Sequence, residues 1–564
     1  MTGQFWGMQV NTIVQTGGLG NISCKIEIQY FYPTYLAREA KMEMYYKYQS
    51  YIPQYYNVTT KLIDEMIEKG LGDKVAVCYR DETYTFGEMQ SLINKVGNAL
   101  KILGVHMEER VMLVMYDSPE AMASFFGAIK IGAIPVPVNY MYTMHDYRYL
   151  LNNSRARTLI ADEDFIEEIE GFKDKLLYLE NTVIVGNKRR AYHISFHDII
   201  DRCSDKLEVA YTTFEDAAFW NYTSGSTGVP KAAVHLQHDV FTCIDNYAKG
   251  VLGITRNDIL LSASKFFFAY GLGNSFFYPL AVGASVVLLP DRPRPETIFA
   301  TIDRYHPTVF FSVPTLYANM LEVKDTEKKY DLSSLRICTS AGEALPQEIF
   351  HEWKRRFGLE ILDGIGSTEL LHIFISNRPG DVKPGSSGKI VPGYHARIVD
   401  DKGNELPDGE VGTLQVQGES TAAYYYRHHD KTKTSMLGEW FNTGDKYYRD
   451  AEGYYYYYGR GDDMLKVGGI WVSPIEVESA LTSHSAVLEA AVVAKKDEHN
   501  LVKPKAYVVL KKGYQPSEEL SHDIQAFVKR SIAPYKYPRW IEFVKDLPKT
   551  STGKIMRNKL RDQL

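Results

Sequence analysis

The ten residues Tyr222 to Lys231, YTSGSTGVPK, are the stretch of this chain best suited to chemistry. Hydroxyls alternate with glycines, so backbone N–H groups can close on an anion, with Ser224, Ser226 and Thr227 as added donors and Lys231 as counter-charge. Such a loop is a cradle for phosphate. On composition alone the same residues would also make an exposed Gly/Ser hairpin or linker. It is not a Walker A loop, because its lysine follows Val229-Pro230 and proline there spoils the helix start that motif uses.

A loop of that kind needs elements that hold its two ends. Short β-branched or aliphatic runs alternate with helix-period segments over most of the chain: Val111 to Met115, Thr158 to Ala161, Thr182 to Val185, Ile259 to Ser262, Val286 to Leu289, Val309 to Val313, Arg336 to Ser340 and Leu359 to Asp363. This is the pattern of parallel strands joined by crossover helices, an α/β fold. From about Tyr394 the text turns to strand and turn, and YHARIVD, DDKGNELPDGE and GTLQVQG read as antiparallel hairpins of a β-rich subdomain. The glycine and charge of GRGDDMLKVGG, Gly459 to Gly469, mark a domain boundary. Beyond it Leu520, Ile524, Phe527, Val528 and Ile532 keep helical spacing, Pro534 stops the helix, RWIEFV reads as a strand, and the polar loop PKTSTGK ends in Lys554. The expected organisation is an N-terminal extension over residues 1–30 with no assigned role, a large α/β domain with its β-rich subdomain over 31–461, and a small mobile α+β domain over 462–564.

Composition narrows the classes of function. With 45% hydrophobic and 24% charged residues in 564, the chain has the makings of a sizeable core and is neither disordered nor fibrous. Its 64 Lys and Arg stand against 70 Asp and Glu, which gives no footprint for nucleic acid. Five widely spaced cysteines without a C-x-x-C pair favour a reducing cytosol and exclude a thiolate metal site. The first residues lack a secretion signal, and the apolar stretch Ala123 to Val138 is broken by Lys130 and two prolines, short of the roughly 20 residues a membrane span needs. A soluble, cytoplasmic protein with no membrane partner is expected. The pairs His235/His238 and His428/His429 lack a third ligand nearby in sequence, which argues against a zinc site.

The decapeptide resembles the phosphate loop of the acyl-adenylate-forming superfamily, and five further motifs follow in that family's order. SAGEA (Ser340 to Ala344) looks like its adenine-side loop, DGIGSTE (Asp363 to Glu369) like its aromatic-G-x-T-E motif and NTGD (Asn442 to Asp445) like its ribose-binding turn; GRGDDMLK (Gly459 to Lys466) resembles the hinge and PKTSTGK (Pro548 to Lys554) the catalytic-lysine loop. The resemblance runs from about residue 55 to the end and implies ATP, Mg²⁺ and coenzyme A. It implies ATP contacts from Thr223, Ser224, Gly225, Ser226, Thr227, Gly228 and Lys231, from Gly342, Glu343 and Ala344, from Asp363, Gly364 and Ile365, and from Asp445 and Arg460. Thr368 would offer its hydroxyl to the α-phosphate, Glu369 a hard oxygen to Mg²⁺, and Asp445 its acceptors to the ribose hydroxyls. Lys554 would stabilise charge developing between carboxylate and α-phosphate. Pantetheine would pass Gly468 and Gly469, and Asp462 would be the hinge. Taken singly, each has an ordinary reading too: Glu369 a surface residue at a helix start, Asp445 a turn cap, Arg460 a surface ion pair, Lys554 a solvated lysine. One departure is Ile365, which stands where the family commonly has an aromatic residue, so adenine would lie against an aliphatic side chain.

KFFFAYGLGN, Lys265 to Asn274, resembles the acyl-pocket loop of the aryl-CoA ligase branch, benzoate-CoA ligases in particular, and LLHIFISN, Leu370 to Asn377, fits the same branch. The resemblance places Ala269, Tyr270 and Gly271 on one side of a flat slot, with Ala341, Gly366, His372 and Ile373 completing it. Small residues beside one aromatic wall suit a ring better than an alkyl chain. FFF at 266 to 268 would serve equally as core, and His372 as a buried histidine; over the para edge of a ring, His372 would either restrict bulk or welcome a hydroxyl. The expected function is ATP-dependent, AMP-forming ligation of an aromatic carboxylate, benzoate first, to coenzyme A. A hydroxy- or aminobenzoate, an alicyclic acid, a carrier protein as acceptor and a homodimeric assembly stay open.

Overall fold

The apolar runs form two sheets of largely parallel strands in the computed structural model of the chain, which describes residues 4–5, 8–16, 22–30, 55–188, 191–224, 230–467, 470–498, 501–549 and 555–561. The larger sheet has nine strands in the spatial order Lys389–Ile390, Ile373–Ser376, Ile361–Gly366, Ile337–Ser340, Val309–Ser312, Ile259–Ser262, Ser285–Leu288, Val75–Tyr79 and Glu82–Thr85. The stretch from Ile361–Gly366 to Val75–Tyr79 is parallel and both edges are antiparallel. The smaller sheet is parallel throughout, with Arg110–Val114 between Ile134–Pro137 and Thr158–Asp162, followed by Asn181–Val185 and Ile194–Ser195.

Strand limits read from sequence fall within a residue of the observed ones, save at the last run. There the strand extends to Gly366, because the antiparallel partner Ile373–Ser376 continues its ladder through Gly364 and Ile365. Every residue of Val309–Ser312 and Ile337–Ser340 is buried, as strands covered on both faces must be. One cover is a core in which Ile298, Phe299, Tyr317, Phe350 and Trp353 of three helices pack on Leu261, Phe310 and Cys338.

Past Tyr394 the chain becomes antiparallel as expected. His395–Val399 pairs with Gly412–Gln417 in the register His395↔Gln417, and Trp440–Arg449 lies next to it and pairs with Tyr455–Arg460. After one 3₁₀ turn, Gly461–Asp463, come helix Pro474–Thr482, the antiparallel strands Val487–Lys496 and Val502–Leu510, helix Glu518–Ser531, and Trp540–Phe543 added in parallel. These elements share a core of their own around Val477, Leu481, Val492, Val508, Ile524 and Val528.

The chain divides into two compact units, Met1–Gln54 and Tyr55–Leu564. In the first unit Met8–Thr16 pairs antiparallel with Ile22–Tyr30 and with Gln4–Phe5. No helix among the described residues is long and apolar enough to cross a membrane.

Candidate active site

In an open α/β sheet, ligands are held beyond the carboxyl ends of the parallel strands. Three sequence motifs leave the large sheet at that end: KFFFAYG after Ile259–Ser262, SAGEA at the end of Ile337–Ser340, and DGIGSTE through Ile361–Gly366. The phosphate-loop residues come from a separate antiparallel pair, Ala217–Ser224 and Pro230–Leu236, which sets Thr223 opposite Lys231 and Ser224 opposite Pro230. Gly225, Ser226, Thr227, Gly228, Gly468, Gly469 and Lys554 lie outside the described residues, as do the side chains of Ser224 and Asp462.

The turn that carries Thr368 and Glu369 is strained. Leu371 sits at φ +67°, a conformation that costs a branched residue on the order of 1–3 kcal/mol and persists only when its surroundings impose it. Here three successive carbonyls are held from outside the turn. His235 Nε2–H donates to Thr368 O at 2.8 Å, the Ala422 N–H to Glu369 O at 2.7 Å, and Ser420 Oγ–H to Leu370 O at 2.8 Å. His235 is fully buried, and its Nδ1 stands 2.8 Å from Asp239 Oδ2. The Tyr425 hydroxyl donates to Glu369 Oε1 at 2.6 Å. His238 meets the carbonyls of Phe214 and Glu419 at 2.9 and 3.0 Å. Sequence reasoning considered these histidines only as metal ligands. Their hydrogen-bonding role had no local signal, since Thr368 is 133 residues from His235.

Among the described residues no group of three or more His, Cys, Asp or Glu side chains is placed to hold a metal ion. Glu369 is a lone carboxylate with one oxygen engaged by Tyr425, which suits an ion held mainly by phosphate and water.

Lys231 is 6% exposed, and its ammonium has no hydrogen-bond partner among the described residues. Burial, and after it the Lys431 charge, hold it below the usual lysine range, with Glu369 opposing. The ladder Ala233↔Tyr425 and Val234↔Tyr424, continued by Tyr426 N–H to Ala232 O at 2.9 Å, brings Arg427 to the same end of the sheet. There the buried His428 Nε2 has no partner, and burial followed by the Lys231 and Arg427 charges holds that ring below the usual histidine range. Several cations around the single Glu369 leave positive charge that an anion would balance. Arg427, His428 and Lys431 were not legible in the sequence as members of this site.

Asp445 and Arg460 face each other by register, and their side chains meet at 3.1 Å. The Arg460 guanidinium therefore orients that carboxylate. Gly342, at φ +94° with open space where a Cβ would stand, begins the loop through Glu343 and Ala344; the backbone angle selects glycine there. Ile365 is half-buried in its strand opposite Ile375.

Asp363 Oδ2 accepts the Leu345 N–H at 3.5 Å, while Oδ1 is buried without a partner. Burial pushes this carboxyl up to about 8, so the native chain keeps a proton that the unfolded chain gives up in the ordinary carboxylate range. The stability from that proton is full below the ordinary range and is lost as pH rises through the folded value. Relative to Asp363→Asn, the parent should lose up to about 1.4 kcal/mol per pH unit between about pH 5 and 8. Urea unfolding of both across that range checks it, and parallel stability curves would contradict the buried acid.

At the other end of the same strand pair lie the residues expected around a ring. Tyr270 shares a 2.7 Å hydrogen bond with Thr339 Oγ1 and sets its ring edge-on to Phe311 at 6.2 Å. His372, 2% exposed, is surrounded by the rings of Tyr247, Tyr270 and Tyr278 at 5.5, 5.3 and 4.7 Å. Its Nε2 lies 3.2 Å from both Tyr270 O and Asn274 Oδ1, and Nδ1 has no partner. Burial pushes the imidazole down to about 3, so the ring stays neutral at ordinary pH.

Ala269, Ala341 and Ile373 are buried. The glycines have a further cause. A Cβ on Gly271 would stand 2.1 Å from the Lys265 carbonyl oxygen, and one on Gly366 2.5 Å from that of His372, so close backbone approach alone demands glycine at both. Of the phenylalanine run, Phe266 and Phe267 are core, Phe266 stacking on Phe276 at 5.1 Å. The loop is anchored by buried Asp117, whose Oδ1 accepts the Phe266 N–H at 3.0 Å and whose Oδ2 lies 3.6 Å from Lys265 Nζ.

Comparison with known proteins gives a consistent picture. Residues 65–426 match the model of the AMP-binding enzymes, and residues 476–554 match that of the AMP-binding enzyme C-terminal domain. The chain is 48% identical over 512 residues to a benzoate–CoA ligase of Thauera aromatica, covering 90% of this chain and 96% of that one. It superposes on an anthranilate CoA ligase solved in complex with anthranoyl-AMP with a TM-score of 0.88 at 45% identity, over 91% of this chain and 98% of the other. A benzoate CoA ligase from Burkholderia xenovorans LB400 gives a TM-score of 0.83 at 44% identity, over 90% of this chain and all of the other.

Proposed function

The chain belongs to the AMP-binding enzymes, and from that membership we propose that it is an ATP-dependent, AMP-forming ligase joining an aromatic carboxylate, benzoate first, to coenzyme A. One observation supports the reading above the rest. The proposed ring contacts Gly366, His372 and Ile373 and the proposed phosphate contacts Thr368 and Glu369 lie on a single strand-turn-strand, Ile361 to Ser376. Both sets flank the same turn, since Gly366 pairs with Ile373 directly beside Thr368 and Glu369, so a ring resting there would have its carboxylate near the proposed phosphate contacts.

In the first step the carboxylate attacks the α-phosphate of ATP and pyrophosphate leaves; in the second the thiol of coenzyme A attacks the acyl-adenylate and AMP leaves. One difficult acyl transfer becomes two easier ones. Lys231 and the neighbouring cations would hold the triphosphate, and Asp445, oriented by Arg460, the ribose. Mg²⁺ bound by Glu369 and phosphate would neutralise charge on the departing pyrophosphate. Residues 462–564 would turn about Asp462, bringing Lys554 to the phosphates for the first step and Gly468 and Gly469 to the pantetheine for the second. The unpaired thiols of Cys78, Cys203, Cys243 and Cys338 support placement in the cytosol.

His372, enclosed by the rings of Tyr247, Tyr270 and Tyr278, would restrict bulk at the para edge of a ring lying under it, which favours benzoate. Pyrophosphate release with benzoate, 2-aminobenzoate, 4-hydroxybenzoate and cyclohexanecarboxylate, followed by thioester formation with free coenzyme A or a carrier protein, tests the assignment. The highest kcat/KM is expected for benzoate with free coenzyme A. A higher value for the amino acid analogue would reassign the substrate, and transfer to a carrier alone would reassign the acceptor.

Tyr270→Ala should raise KM for benzoate by an amount equivalent to about 1–3 kcal/mol, the scale of a lost aromatic contact, and leave KM for ATP nearly unchanged. Steady-state kinetics in each substrate check this. Equal changes in both would mean that the substitution acts through misfolding.

A further inference from the structure

Beyond the loop that carries Lys554, the chain contains a buried charge network that neither family motif explains. The neck of the loop is pinned on both sides. Lys549 pairs with Ile555 across an antiparallel bridge, the Met556 N–H donates to Pro548 O at 2.8 Å, and Lys549 Nζ reaches Glu489 Oε1 at 2.7 Å. The next residue, Arg557, opens the short helix Arg557–Arg561.

Its guanidinium bridges two other elements. Nε and Nη2 donate to the two oxygens of Glu478 at 2.9 and 2.6 Å, and Nη1 stands 3.7 Å from Asp463 Oδ2. Glu478 lies on helix Pro474–Thr482 and also accepts the Val492 N–H at 2.7 Å, which ties it to strand Val487–Lys496. Asp463 closes the 3₁₀ turn Gly461–Asp463, and its other oxygen takes Arg561 Nη2 at 2.5 Å. The side chains of Arg557 and Glu478 are each 10% exposed.

A buried ion pair is a poor device for stability alone, since well-packed apolar side chains hold such a junction as well or better. What a bidentate guanidinium adds is direction, because its planar fork fits a carboxylate in one orientation. Here that orientation sets the first residue beyond the loop's neck against the turn where the backbone is proposed to rotate. We propose that Arg557 is a positioning residue for Lys554, transmitting the setting of the Gly461–Asp463 turn to the neck of the lysine loop through Asp463 and Glu478. The proposal rests on the reading in which Lys554 serves adenylation.

The test is a double-mutant cycle with Arg557→Lys and Lys554→Ala on the full-length enzyme. Benzoyl-adenylate formation, transfer of supplied benzoyl-adenylate to coenzyme A, and thermal unfolding are read for each variant. Arg557→Lys keeps a cation against Glu478 but loses the fork, and should slow adenylation about tenfold with little change in either KM, the scale of a small misplacement of a catalytic group. In the Lys554→Ala background the same change should cost nothing further. Asp463→Asn, which keeps the shape of the turn, should show the same dependence on Lys554.

An equal loss in both backgrounds would overturn the proposal, as would rates that simply follow thermal stability across the variants. If Lys554→Ala alone leaves adenylation untouched, the reading beneath fails and the proposal with it. That outcome is distinct, because it is read in the single variant before Arg557 is changed.

Discussion

Lys554→Ala is expected to slow benzoyl-adenylate formation by about 10²-fold or more, the usual scale for one preorganised donor aimed at developing charge. Transfer of supplied benzoyl-adenylate to coenzyme A should fall far less. The difference follows from where charge develops. When the carboxylate attacks the α-phosphate, negative charge accumulates between two anionic groups, and an ammonium there stabilises the transition state more than the separated substrates. In thioester formation the leaving group is AMP, and the acyl carbonyl carries the new charge, away from the lysine. Rapid-quench measurement of the two half-reactions decides it. Equal losses in both would remove Lys554 from the adenylation step.

His235→Leu should be the most damaging single change in the buried support of the site. It takes one hydrogen-bond partner from the buried Asp239 carboxyl, whose Oδ2 keeps the Leu236 N–H at 3.1 Å, and a buried polar group that loses a partner costs about 1–3 kcal/mol. It also releases the Thr368 carbonyl, the first of three that hold the turn around Leu371 at φ +67°. The two effects separate in the pair His235→Leu/Asp239→Leu, where the carboxyl that lost its partner is gone but His235 still does not hold the carbonyl. Most of the stability should return in that variant while adenylation stays depressed, because Thr368 and Glu369 no longer sit where the phosphates need them. Urea unfolding and pyrophosphate release give the two readouts. A double variant that recovers both would reduce His235 to a structural residue.

The line between local and long-range information explains which parts of this protein were legible. The parallel strands were legible in the residues alone, since a buried strand declares itself through a short apolar run whose length and composition are local properties. The candidate phosphate loop was legible there as well, because such a loop works with consecutive backbone N–H groups and so must be contiguous. Tertiary structure alone decided the partners. Arg427 meets the end of the strand bearing Lys231 only through the ladder Ala233↔Tyr425, His235 supports Thr368 from a separate sheet, and Arg557 reaches Glu478 across the C-terminal fold. Gly271 and Gly366 make the same point from the other side. Their lack of a side chain looks like room for a substrate in the sequence, but it is set by the carbonyls of Lys265 and His372 passing within 2.1 and 2.5 Å of where a Cβ would stand. Hydrogen bonds and close approaches of this kind have no period and no spacing, and they exist only once the sheets have brought distant segments into register.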